Sequence, residues 1–125
     1  MLKTLAICWI MLIAVGHALP GSDLLNTVFL NIPHFDKLVH LGMFLTAYFL
    51  VTKAFLQQYS QSYNRYLVVW LIAYGLLLEY LQGAIFIDRS MDVYDVLADV
   101  VGVFSGLLLY RKFPFYLAAH SNKKD

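Results

Sequence analysis

Eight polar side chains stand where an otherwise apolar chain has least reason to carry them: Asp36, Lys37, His40, Glu79, Gln82, Arg89, Asp95 and Asp99. Arg89 and Lys37 are of the type that grips a phosphate or carboxylate, and an arginine does so in bidentate fashion. Glu79, Asp95 and Asp99 can hold such an arginine in place or accept hydrogen bonds from hydroxyl and amine groups. Two of these carboxylates could also act as a general acid and base. One histidine with three carboxylates could hold a divalent metal that activates water. The spacing contains no H-E-x-x-H and no dense histidine set, so neither a metal nor another cofactor is expected. No serine lies in a G-x-S-x-G elbow, and Cys8 sits in an apolar run toward the opposite end.

Spacing groups these residues. Asp36 and His40 share a helix face if their helix starts early enough, and Glu79 and Gln82 share one three residues apart. Asp92, Asp95, Asp99, Gly102 and Gly106 step by three or four, which is one stripe down a helix. Its first half is acidic. Its second half is a G-x-x-x-G pair that lets another helix approach closely. Gln82, Gly102 and Gly106 are expected to serve packing, while Asp36 caps a helix and Lys37 lies at an interface. His17, His34 and His120 read as interface residues.

The elements that must carry these groups follow from composition. Of the 125 residues, 61% are apolar and 14% charged, against about 45–50% and 25% in soluble domains. An ordinary soluble domain and intrinsic disorder are both excluded. A net charge of +1 offers no field for nucleic acid. Four apolar runs approach the ~20 residues needed to cross a bilayer. They lie at about 2–19, 38–56, 67–87 and 93–110, with Pro20-Gly21-Ser22-Asp23, residues 57–64 and Asp88-Arg89-Ser90 between them. Ser90 or Asp92 can cap the fourth helix. The expected fold is therefore an all-α membrane protein, a single domain over 1–125 built as a small bundle of four transmembrane helices.

With the N-terminus inside, Lys3, Lys53, Arg65, Arg111, Lys112, Lys123 and Lys124 face the cytoplasm and only Lys37 and Arg89 lie outside. That bias predicts both termini in the cytoplasm, and Tyr59, Tyr63, Tyr66, Trp70, Tyr110 and Tyr116 in an inner aromatic belt. Met1 to Ala18 has a rival reading as a signal peptide cut after Gly16-His17-Ala18, which Pro20 disfavours. In this topology the polar cluster gathers at the outer ends of the helices. An ionisable group at mid-membrane costs ~2.5–3.5 kcal/mol and by default marks function, and Glu79 and Asp99 lie nearest that condition.

The motifs Asp36-Lys37-Leu38-Val39-His40, Glu79-Tyr80-Leu81-Gln82, Arg89, and Asp95-Val96-Leu97-Ala98-Asp99-Val100-Val101-Gly102 with Gly106 resemble the VanZ-like family. These are small bacterial membrane proteins named after a teicoplanin-resistance accessory protein. The resemblance runs from about Pro20 to Tyr110 and departs from the family pattern twice. Asp99 stands where Asn is more usual, and Phe44 where a Tyr often follows the histidine by one turn.

The expected function is an inner-membrane protein whose outward polar site binds membrane lipid, a lipid-linked envelope precursor or an amphipathic glycopeptide-like antibiotic. It would contribute to envelope homeostasis or resistance. Two alternatives stay open. One is a membrane-embedded lipid hydrolase, metal-dependent or not. The other is a proton-coupled lipid or drug transporter, which with four helices would need a homo-oligomer.

Overall fold

The computed structural model describes residues 1–18, 34–56, 62–85 and 91–112. Among them the chain is helical, with no strand. The helices are α1 (Leu2–Ala18), α2 (Phe35–Val51), α3 (Ser62–Ile85) and α4 (Val93–Lys112), and a single π-helical turn, Thr52–Leu56, continues α2. Three segments are long and apolar enough to cross a membrane: Phe35–Leu56, Tyr63–Ile85 and Val93–Lys112. The expectation of four spans holds for these three. The first helix, Leu2–Ala18, is apolar but shorter. At ~1.5 Å per residue its 17 residues fall below the ~30 Å of a hydrocarbon core.

Two boundaries differ from the sequence reading. α3 starts at Ser62 rather than near 67, so Tyr63 and Asn64 are helical. Polarity marked that stretch as a connector, but nothing in Ser62-Tyr63-Asn64 breaks a helix, and its tyrosines suit a membrane interface. α2 starts at Phe35 rather than 38, which brings Asp36 and Lys37 into its first turn. The residue before it, His34, has φ 63°, the left-handed conformation that here turns the chain into the helix. Histidine is among the non-glycine residues that tolerate it best. At α4, Asp92 accepts the Tyr94 N–H through Oδ1 at 2.8 Å, an N-cap that satisfies one orphan donor of the first turn. Ser90 lies outside the described residues.

The molecule is apolar outside as well as inside. Leu97 (52%), Val101 (50%) and Leu108 (64%) on α4 are freely exposed, as are Ile7 and Met11 on α1 and Leu77 on α3. These are lipid-facing surfaces, and the free Cys8 is exposed among them. The interior centres on Ile13, Phe44, Tyr48, Leu71 and Val103, all fully buried.

The most extensive helix contact is α2 on α4, and glycines allow it. A Cβ on Gly102 would lie 2.4 Å from the Leu41 carbonyl oxygen, and one on Gly106 would lie 2.9 Å from Tyr48 Cβ. Lipid tails are as apolar as leucine, so close packing and interhelical hydrogen bonds hold such helices together.

α1 is fixed by two of these bonds. Trp9 Nε1–H donates to the Met43 carbonyl on α2 at 3.0 Å. Tyr74 O–H on α3 donates to the Ile10 carbonyl at 2.7 Å. Tyr74→Phe is expected to lower stability by roughly 0.6 kcal/mol, the average for an interhelical bond in a membrane. A shift in the thermal midpoint in detergent micelles measures it, and an unchanged midpoint would show the bond contributes nothing.

Candidate functional site

The antiparallel course of the helices brings together the C-terminal ends of α1 and α3 and the N-terminal ends of α2 and α4. Each contributes an ionisable residue to this end. The opposite end holds the first residues of α1 and the π turn, where the Lys3 ammonium sits 5.8 Å from the Phe55 ring centroid.

The outer part of the site is built on Lys37. Its ammonium donates to Asp36 Oδ2 at 2.8 Å and to Asp92 Oδ2 on the facing helix end, and pairs with Asp95 Oδ1 at 2.7 Å. An ammonium has three N–H groups, and three carboxylates surround it here. Lys37 is thus paired within the protein, and a phosphate would compete with three carboxylates for it. Asp36 points to this pair at the surface, while His40, one turn later on the same helix, turns inward. The Lys37 ammonium and the Tyr94 N–H hold the Asp92 carboxylate below its ordinary range. A depressed carboxylate contributes stability that is present above its unfolded pKa and lost as pH falls through the folded one. Asp92→Asn is therefore expected to lower stability at neutral pH and to converge with the wild type in acid, which flattens the acid limb of the stability profile below the usual carboxylate range. Thermal midpoints across an acid series test this, and an unaltered acid limb would count against it.

Beneath this rim lie two imidazole–carboxylate pairs. His40 Nδ1–H donates to Asp99 Oδ1 at 2.9 Å, joining α2 to α4. His17 Nε2 lies 3.5 Å from Glu79 Oε1, joining α1 to α3. The two imidazoles meet edge to face with centroids 4.9 Å apart. Glu79 Oε2 also accepts the Asp92 backbone N–H at 3.5 Å, which ties the floor of the site to its rim. Glu79, Asp99 and His17 are all buried.

The sequence reading placed His17 at an interface, and the structure corrects it. His17 is 4% exposed and its Nδ1–H donates to the Ile13 carbonyl at 2.8 Å. The signal was present but faint. Ala6, Ile10, Ile13 and His17 recur at four, three and four, which is one helix face. A single histidine continuing an apolar stripe does not say which helix it will meet.

Gly75 was also not singled out. A Cβ there would lie 2.9 Å from Asp99 Oδ2 and 3.0 Å from Phe44 Cζ. The two departures from the family pattern, Asp99 and Phe44, therefore meet over one glycine. Asp99 Oδ2 is buried with no hydrogen-bond partner among the described residues, and Phe44 offers no hydroxyl to it. Of the other predicted residues, Gln82 is buried on α3 one turn beyond Glu79, and Asp95 is half-buried beside Lys37. Gly102 and Gly106 lie in the α2–α4 contact, Gly102 against Leu41 beside His40. Arg89 lies outside the described residues.

Fold and site together define a small helical membrane protein whose helices converge on a polar, acid-rich end. The chain belongs to the VanZ/LLP1 family, whose sequence profile matches residues 3–116. No curated protein and no solved structure matches the chain.

Proposed function

We propose that this VanZ-family membrane protein binds the headgroup of an amphipathic envelope molecule at its polar end. That end faces outward from the bacterial cytoplasmic membrane, with both chain termini in the cytoplasm. The observation that carries the reading is the grading of the site from rim to floor. The side chains of Asp36 and Asp92 are 51% and 38% exposed, that of Asp95 is 14% exposed, and that of Glu79 is fully buried. A headgroup arriving laterally from the bilayer or from the aqueous phase meets the exposed acceptors Asp36 and Asp92 first.

The chemistry of the ligand follows from charge. Five carboxylates (Asp36, Glu79, Asp92, Asp95 and Asp99) share this end with one ammonium, Lys37, among the described residues. Such a site favours amine and hydroxyl donors, which aminophospholipids, sugar-bearing lipid precursors and glycopeptides all carry. A phosphate in the same headgroup would need a further cation, and Arg89 is the residue of the right type. Through such binding the protein would act on envelope homeostasis or antibiotic susceptibility.

Photocrosslinking tests the assignment. Protein reconstituted in liposomes with a phosphatidylethanolamine analogue bearing a photoreactive headgroup is expected to be labelled around residues 36–40 and 91–95. Labelling spread evenly along the exposed faces of α3 and α4 would contradict a built site.

A second reading is favoured by one observation, the two imidazole–carboxylate pairs side by side. Each pair could activate a water or protonate a leaving group, which would make the protein a membrane-embedded lipid hydrolase. Turnover of a fluorescent phospholipid by the wild type, lost in Glu79→Gln, would support this, and no turnover would exclude that substrate.

A further inference from the structure

The neighbourhood of His17 and His40 carries more than two imidazole–carboxylate contacts. His17, His40 and Glu79 each offer one ligand atom, and these atoms lie within 4.8 Å of one another. They come from three different helices, so no sequence spacing announces the set. Two histidines and a carboxylate with an open position form a well-known donor set for a divalent transition metal.

What stands behind the imidazoles strengthens the reading. A metal-binding histidine donates its other ring N–H to a carboxylate or a backbone carbonyl, which fixes its tautomer and orientation. Both arrangements occur here. His17 Nδ1 bonds the Ile13 carbonyl at 2.8 Å and His40 Nδ1 bonds Asp99 Oδ1 at 2.9 Å. A carbonyl only accepts, so the proton of His17 lies on Nδ1. That leaves Nε2 as the ring atom that faces Glu79 Oε1, at 3.5 Å. The Asp99 carboxyl group is buried beside His40 with Oδ2 unpartnered among the described residues.

Size and selectivity agree. Ligands at about 2.0–2.1 Å from a tetrahedral ion lie roughly 3.4 Å apart. His17 Nε2 and Glu79 Oε1 are already 3.5 Å apart, and all three ligand atoms lie within 4.8 Å of one another. The second acidic group, Asp36, Asp92 and Asp95, is a poor rival because the Lys37 ammonium already lies among its oxygens.

We propose that His17, His40 and Glu79 bind one divalent transition-metal ion, zinc by preference, with Asp99 and the Ile13 carbonyl orienting the two imidazoles. This site does not depend on any lipid ligand. The ion would offset the local excess of carboxylates and join α1, α2 and α3.

The test uses the full chain purified in mild detergent, stripped with chelator and titrated with Zn²⁺ and, separately, Co²⁺. The wild type is expected to retain one equivalent of zinc through gel filtration. It should also give the visible absorption of low-symmetry Co²⁺ bound by nitrogen and oxygen. His17→Asn, His40→Asn and Glu79→Gln are expected to lower Zn²⁺ affinity at least about 100-fold. Asp99→Asn, which keeps an acceptor behind His40 but removes its charge, should lower it by about 10–100-fold, the usual effect of a supporting group. Helical content by circular dichroism and a monodisperse elution profile report folding in each variant. No zinc on a folded wild type, or wild-type affinity in the three ligand variants, would overturn the proposal. Lipid retention is read separately, so a failure here leaves the headgroup reading standing, and the reverse also holds.

Discussion

Gly102→Ala is expected to separate α2 from α4. The added Cβ would fall 2.4 Å from the Leu41 carbonyl oxygen and 3.1 Å from Leu41 Cα. These are backbone atoms of a packed helix, so no side-chain rotation relieves the contact. Overpacking of this kind costs about 1–3 kcal/mol and occasionally more, and here it acts on the most extensive interface of the bundle. The same substitution at Gly106 meets Tyr48 Cβ at 2.9 Å and the Leu45 oxygen at 3.1 Å, a milder clash. At Gly42 an added Cβ meets nothing within 4 Å. There alanine should be neutral or stabilising, because it is the better helix former by ~1 kcal/mol. The expected order of thermal midpoints in detergent is Gly42→Ala at or above wild type, Gly106→Ala below it, and Gly102→Ala lowest. Equal midpoints for the three variants would show that close α2–α4 packing does not hold the fold.

Lys37→Met is expected to give the largest loss among the charged positions. Methionine keeps the length of the stem but withdraws the ammonium from Asp36, Asp92 and Asp95. Removing one partner of a buried pair costs about 3–5 kcal/mol. Lys37 is 20% exposed and Asp36 about half exposed, so water recovers part of this. A loss of roughly 2 kcal/mol follows for a partly buried network. The cycle with Asp95→Asn separates this from lost packing. If the ammonium acts through charge, removing the least exposed of its carboxylates should return part of the loss, a coupling of about 1 kcal/mol. Additive effects would mean that Lys37 stabilises through its alkyl stem alone.

Much of the architecture was legible because a bilayer imposes few solutions. Apolar runs of about 20 residues gave three of the helices, and Asp92 was readable as a cap from its place before Val93. The boundaries were less legible, since Ser62-Tyr63-Asn64 and Asp36-Lys37 are polar yet helical. At a membrane surface a polar turn of helix is as well solvated as a loop.

For the site, the stripe from Asp92 to Gly106 showed which face of α4 turns toward its neighbours. It did not show that Lys37 would lie among Asp36, Asp92 and Asp95. Nor did it show that His17 would cross to Glu79. Those facts depend on how helices far apart in the sequence are rotated and staggered. The rotation is set by contacts such as Trp9 on the Met43 carbonyl and Gly102 on Leu41, which no local spacing encodes. The convergence of Phe44 and Asp99 on Gly75 is of the same kind, since three residues on three helices become one feature only after packing.

The central claim is that the polar end holds the headgroup of an envelope amphiphile. Native mass spectrometry of the wild type and of Asp95→Asn, each extracted in mild detergent from the membrane that produced it, tests it most directly. The account predicts a lipid-sized adduct on the wild type that survives release from the micelle and is largely lost from the variant, with both proteins folded by circular dichroism. Bare protein in both spectra, or the same adducts in equal proportion on both, would contradict it.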